Sequence, residues 1–285
     1  MKRLRIFFVL FLILVSLAAV GALILYLRIP STAEIQGCLV TKMYQVNLCP
    51  GSKTYVPLKQ ISKFLQKAIV LSEDSTFYQH KGFDWESIEK NARESWEKRR
   101  FKRGGSTITQ QLAKNMFLNK DKTLTRKALE ALITSKIEAS LTKNEILERY
   151  LNVIEFGKNL YGIKAASEFY FKKSPANLNV PESAFLVLIL PNPVKYSHSF
   201  FKKQLSPFAK SRLSRIVDDL YRYQRITEAE FETAMFDYEY LFGKPPAKLE
   251  FEPDENLDFE TESESDTQSD TGTEKESEAG ASNQQ

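Results

Sequence analysis

Two adjacent carboxylates, Glu73 and Asp74, stand at the end of an apolar run and are followed by Phe77, His80 and a turn at Gly82. Further along, the stretch RGGSTITQQLAKN carries a glycine pair, then Ser106, Thr107, Thr109, Gln110, Gln111 and Lys114. Thr107 to Gln110 fits a capping box, so a helix should start there. Free N–H groups and the positive end of the helix dipole make such a start an anion site. Gln110, Gln111 and Lys114 are spaced three and four apart and project to roughly one side. The chemistry this layout suits is moving a group off a phosphate. A carboxylate takes a proton while a helix start and a lysine hold the anion. The plainer reading, a well-capped surface helix, leaves the tight Gly-Gly-Ser-Thr-x-Thr-Gln-Gln cluster unexplained.

The elements that must position these residues are helical. Ile61, Phe64, Leu65, Ala68 and Ile69 follow the spacing of an amphipathic helix that delivers Glu73 and Asp74. Leu124 to Leu141 reads as a helix in which Arg126 and Lys127 lie four and three residues before Glu130. Taken alone, that is the pattern of a surface salt-bridge network. Thr142 to Glu145 and Thr227 to Glu230 are further capping boxes. Helices are also expected over Ile163 to Phe171, over the very apolar Ala184 to Leu190 behind Pro181, over Ser211 to Tyr223 and over Thr227 to Tyr240. Strand signals are nearly absent, so the fold class is all-α.

Net charge is divided unevenly along the chain. From Phe251 onward there are 12 acidic residues and one lysine, which leaves 39 Lys+Arg and 24 Asp+Glu in residues 1–250, a balance of +15. A basic body suits nucleic acid, anionic lipid or a phosphorylated substrate. Residues 6–27 are uncharged and span roughly 33 Å as a helix, enough for a bilayer's hydrocarbon core. Lys2, Arg3 and Arg5 precede them and place the N-terminus in the cytoplasm. The alternative is a cleaved signal peptide, whose apolar region is shorter. Export argues against nucleic acid as a partner. Cys38 and Cys49 lie just outside the membrane, either paired or as two free thiols in a loose stem. Trp85, Trp96 and Phe101 stand among Arg93, Lys98, Arg99, Arg100, Lys102 and Arg103. That mixture suits the membrane interface, or else a solvated helix with two aromatics tucked inward. The expected organisation is a cytoplasmic stub (1–5), a transmembrane anchor (6–27), a stem (28–54), one helical domain (55–250) and a disordered acidic tail (251–285), whose composition cannot build a core.

Several separate motifs, in order over roughly Tyr55 to Ala234, resemble the glycosyltransferase domain of peptidoglycan polymerases, glycosyltransferase family 51. They are Glu73-Asp74-x-x-Phe77-x-x-His80-x-Gly82; Gly105-Ser106-Thr107-Ile108-Thr109-Gln110-Gln111; Arg126-Lys127-x-x-Glu130; and Lys143-x-Glu145-Ile146-Leu147-Glu148-x-Tyr150-Leu151-Asn152. Arg212 with Ile216-Val217 matches a fifth motif loosely. The run from Asn152 to Gly157 is similar to the monofunctional members. The resemblance implies a lysozyme-like, two-lobed helical fold, with a head and a membrane-dipping jaw, behind a single transmembrane helix. It implies polymerisation of lipid II, an undecaprenyl-pyrophosphate-linked disaccharide peptide, into glycan strands on the outer side of a bacterial cytoplasmic membrane. Lipid II, the growing strand, the bilayer and other cell-wall synthesis proteins would be its partners.

Carried over residue by residue, Glu73 would be the general base and Glu130 the second essential acid. Glu130 would orient the pyrophosphate or help hold a divalent metal, magnesium or manganese. Ser106, Gln110, Gln111, Lys114, Lys122, Arg126 and Lys127 would bind substrate, with Asp74, Phe77 and His80 in support. Lys122 stands where the family commonly has arginine, which keeps the charge and loses the bidentate grip on phosphate. Arg103 and Lys172 replace a common glutamine and glycine. Ser87-x-x-Lys90 occurs without a Lys-Thr-Gly element, so no transpeptidase domain is expected. Two rivals stand beside this reading. A glycan-cleaving lysozyme-like enzyme has no need of the basic cluster. A catalytically weak, lipid II-binding scaffold has no need of both glutamates.

Overall fold

The computed structural model describes residues 2–97, 105–237 and 241–242. The basic-aromatic expectations at Trp96 and 98–103, the end of the last expected helix and the acidic stretch 251–285 lie outside the residues or side chains described. Helix α1 (Lys2–Tyr26) is exposed along nearly its whole length, and its Arg3–Tyr26 segment is apolar and long enough to cross a membrane.

The segment after α1 follows the first of the two alternatives for its cysteines, paired, and not the loose stem. Helix α2 (Thr32–Gln36) is capped reciprocally by Ser31 and Glu34 and buries Ile35 completely. Strands β1 (Leu39–Val40) and β2 (Asn47–Leu48) form a small antiparallel hairpin, closed by a disulfide between Cys38 and Cys49. Lys42 and Met43 donate their N–H groups to the carbonyls of Met116 and Asn115, and the Arg149 guanidinium donates to the carbonyl of Gln36. The stem is thus part of the folded body. Two-residue strands are too short to leave an alternating pattern, which is why the sequence reading missed them.

Beyond a short 3-10 turn at Leu58–Gln60 come α3 (Lys63–Glu73), α4 (Trp85–Glu97), α5 (Ile108–Phe117), α6 (Leu124–Ser140) and α7 (Lys143–Val153). A bulged hairpin, β3 (Glu155–Gly157) with β4 (Leu160–Tyr161), leads through Gly162 into α8 (Ile163–Phe171). Gly162 has φ +77°, and a Cβ there would stand 2.7 Å from the carbonyl oxygen of Asn152, so only glycine fits this junction. Then follow α9 (Val180–Ile189), α10 (Pro193–Tyr196), α11 (His198–Phe201), α12 (Pro207–Arg222) and α13 (Glu228–Asp237). The two short helices α10 and α11 follow because Pro191, just past the end of α9, prevents its continuation, and Pro193 is the first residue of the next helical turn.

Helix α9 is buried at all ten positions, as expected of a helix apolar on every face. Helices α3, α12 and α13 pack around it, while α5 packs against α6 and α7. These two helical groups meet at the C-terminal end of α3.

Candidate active site

Glu73 is the last residue of α3, and Asp74 ends the helix by leaving helical backbone angles (φ −163°, ψ 73°). Leu65, Ala68 and Ile69 are fully buried, so the helix is anchored and its terminal carboxylate is held in place. Glu73 is half-buried. Gln111 on α5 donates from Nε2 to Glu73 Oε2 at 3.0 Å, and Tyr150 on α7 donates from its hydroxyl to Gln111 Oε1 at 3.2 Å. Burial pushes the Glu73 carboxyl above its ordinary value. The Gln111 hydrogen bond opposes that shift, as do the charges of Arg212 and Lys114, while Asp74 adds to it.

Asp74 has a different task. Its Oδ2 accepts from the backbone N–H of Ile108 at 2.9 Å, and its Oδ1 sits 2.8 Å from His80 Nε2. His80 Nδ1 accepts from the Gly82 N–H at 3.0 Å, so the network assigns the ring proton to Nε2. Thr107 donates a hydrogen bond from its hydroxyl to the Gly82 carbonyl at 2.7 Å. Gly82 has φ +91°, and a Cβ there would meet Thr134 Cγ2 at 2.8 Å. Phe77 is fully buried beneath this loop. The first motif therefore clamps the loop that follows α3 onto the start of α5.

That clamp corrects one expectation. The N-terminus of α5 is not open to an external anion, because Asp74 already occupies Ile108 N–H. Thr107 and Gln110 satisfy each other's N–H groups through the expected capping box, at 3.0 and 3.2 Å. Gln110 is 5 % exposed, and its side-chain oxygen is spent on that cap. It belongs to the scaffold rather than to a substrate surface. Ser106, one residue earlier, is exposed.

The cationic side of the site comes from α5 and α6. Glu130, 3 % exposed, accepts from Arg126 Nη1 at 2.8 Å and from Lys127 Nζ. Lys114 is half-buried, and the charges of both Glu130 and Glu73 act on it. Burial lowers its pKa, while Glu130 pulls it back up. Lys122 is exposed ahead of the Thr123 cap that starts α6. The Nε atoms of Arg126 and Arg212 are buried and have no hydrogen-bond partner among the described residues. Two such donors beside two acids are the arrangement a multiply charged anion would complete.

A divalent metal on Glu130 does not fit these residues. Both Glu130 oxygens are engaged by cations, and no group of three His, Cys, Asp or Glu among the described residues could hold a metal ion.

Much of the fourth motif supports the site from behind. Glu148 accepts from Tyr55 Oη and Leu58 N–H at 2.5 and 2.7 Å, and Asn152 holds Val56 through both backbone groups at 2.8 and 2.9 Å.

The transglycosylase family model matches residues 41–220. The chain belongs to the transglycosylase family. Its lysozyme-like helical fold accords with that membership. This transglycosylase is 45% identical over 163 residues to the biosynthetic peptidoglycan transglycosylase of Aromatoleum aromaticum, covering 57% of this chain and 70% of the relative. It is 36% identical over 198 residues to the protein of the same name from Methylobacillus flagellatus, covering 69% and 84%. The Bdellovibrio bacteriovorus protein of that name is 39% identical over 186 residues, covering 65% and 74%.

Two residues around the transglycosylase site had no assigned role in the sequence reading. Tyr150 stands in the fourth motif, and its hydroxyl reaches Gln111. Arg212 matches its motif only loosely, and its charge acts on Glu73 because α12 packs on α3.

Proposed function

We propose that this transglycosylase polymerises lipid II into linear glycan strands, with Glu73 as the general base. The carrying observation is the asymmetry of the site. A half-buried carboxylate held by Gln111 stands on one side, and Lys114, Arg126 and Lys127 gather around Glu130 on the other.

The acceptor's sugar hydroxyl is a weak nucleophile. Glu73 takes its proton as the oxygen bonds to the anomeric carbon of the donor. The bond from that carbon to the pyrophosphate breaks in the same step, and the lipid pyrophosphate leaves with the electron pair. It departs as an anion and needs positive charge more than a proton, which Lys114, Arg126 and Lys127 supply. Burial serves the base, since a carboxylate with a raised pKa is a stronger proton acceptor near neutral pH. A single displacement inverts the anomeric centre and gives a β-linkage from an α-linked donor. Glu130 positions Arg126 and Lys127 rather than taking a proton.

The α1 helix anchors the protein in the bacterial cytoplasmic membrane, with the catalytic body on the extracytoplasmic side. The Lys2, Arg3 and Arg5 cluster and the Cys38–Cys49 disulfide support that orientation. The bilayer and other cell-wall synthesis proteins are its partners there.

The test is polymerisation of lipid II in detergent, read as a glycan ladder. The native protein should make the ladder, and Glu73→Gln should bind lipid II without extending it. A ladder of equal strength from Glu73→Gln would remove the base from Glu73.

A further inference from the structure

The segment from α2 through the first hairpin ties down the three helices that carry the candidate site. At α5, the last bond of the helix runs from the Leu118 N–H to the Lys114 carbonyl. Carbonyls beyond Lys114 therefore have no donor from their own helix. Asn115 and Met116 are buried, so an unpaired carbonyl there would be costly. The hairpin supplies the missing donors. Met43 N–H reaches the Asn115 carbonyl at 3.2 Å, and Lys42 N–H reaches the Met116 carbonyl at 3.0 Å.

The same segment holds the other two helices. Gln36 donates from Nε2 to the carbonyl of Ser140, the last residue of α6, at 2.9 Å. Arg149 on α7 is 5 % exposed and donates to the Gln36 carbonyl. Of the three, α5 is the most dependent on outside support. It has ten residues, and its last turn, which frays most readily in any helix, contains Lys114. Gln111, which holds Glu73, is one turn earlier.

The hairpin that caps α5 is closed by Cys38–Cys49. Two-residue strands make a hairpin that is marginal on its own, so the cross-link keeps its two donors in place. Cys38 is exposed and Cys49 partly so, which leaves the bond open to a thiol reagent. The family match begins at residue 41, so α2 and Cys38 lie ahead of the matched residues.

We propose that Cys38 and Cys49 are positioning residues for the transglycosylase site, because their disulfide holds the backbone cap on α5 and with it the placement of Lys114 and Gln111. The proposal rests on the polymerase reading for the roles of those two side chains. It makes the site sensitive to a dithiol reductant. In that exchange the two thiols of the reductant become a disulfide, and Cys38 and Cys49 take up the two electrons and two protons as free thiols.

The test uses the full chain in detergent, well below its melting temperature, before and after dithiothreitol and again after reoxidation. The first readout needs no turnover. Calorimetric binding of undecaprenyl pyrophosphate should weaken about tenfold on reduction, the lower end of what one charge-assisted hydrogen bond is worth, and should return on reoxidation. Amide hydrogen exchange should rise in the peptide holding Lys114 to Leu118 and stay unchanged in α3 and α9. Lipid II polymerisation should fall by a similar factor. A Cys38→Ser, Cys49→Ser double variant should match the reduced protein and no longer respond to dithiothreitol. Lys42→Pro, which removes one capping N–H while the disulfide stays, should also weaken binding. Binding within about twofold in both redox states overturns the proposal. So does a loss accompanied by faster exchange in every helix, which would mean general unfolding, or full binding by Lys42→Pro. If the oxidised protein makes no glycan, the polymerase reading falls, while binding and exchange still decide whether the disulfide positions α5.

Discussion

Tyr150→Phe isolates the hydrogen-bond chain behind the base. The ring is 1 % exposed and would stay packed, so only the hydroxyl is lost. Burial holds the phenol proton far above its ordinary range, so Tyr150 is neutral throughout the working pH range. Its hydroxyl donates to Gln111 Oε1, and that fixes which end of the amide faces Glu73. One neutral hydrogen bond is worth about 0.5–1.5 kcal/mol, so the fold should survive. Without it, the Gln111 amide can turn its oxygen toward the carboxylate. A hydrogen bond to a charged group is worth about 1.5–3 kcal/mol, or one to two pKa units at 1.36 kcal/mol each. With the amide shared between two orientations, about half of that is lost.

The Gln111 bond lowers the Glu73 pKa against burial, so losing it raises that pKa further. A base must be ionised to act. The acid limb of kcat/KM should therefore move to higher pH by roughly half a unit to one unit. Activity below the limb should fall about three- to tenfold and recover as pH rises. Initial rates of polymerisation across the pH range, with a thermal melt of each protein, make the measurement. An acid limb at the same pH in both proteins, with rates within about twofold, would show that Tyr150 only fills space.

Two further outcomes concern stability. The folded-state pKa of Glu73 is raised from its ordinary 4.5, so the fold favours the protonated acid, and that contribution is lost as pH rises through the folded value. Glu73→Gln should therefore melt higher than the native protein at neutral and alkaline pH, with the gap closing as pH falls toward the unfolded value. A variant that melts lower at neutral pH would contradict the burial argument. Reduction of Cys38–Cys49, or Cys38→Ser, opens a loop of sequence separation 11 and should cost about 3 kcal/mol. That corresponds to a melting temperature about 6–12 °C lower, measured with and without reductant, and an unchanged melt would mean that the hairpin holds without its bond.

The chain's own pattern determined the helical class, the long apolar α1 and most helix boundaries. Capping boxes at Thr107, Thr142 and Thr227 and the apolar periods are local signals, and local hydrogen bonds honour them. The motif order determined the family, because residue types at fixed spacing survive as a string. Other features depend on which elements pack together. Asp74 reaches Ile108 across 34 positions, and that contact closes the helix start that looked open in the sequence. The charge of Arg212 on α12 acts on Glu73, and Tyr150 on α7 bonds the Gln111 that holds Glu73, and nothing in their own neighbourhoods announces it. Residues 28–54 lacked any strong periodicity, yet Ile35 and Leu48 are fully buried once α5, α6 and α7 provide a surface for them. Short strands and single buried apolar residues have no pattern of their own, so only the tertiary structure decides where they go.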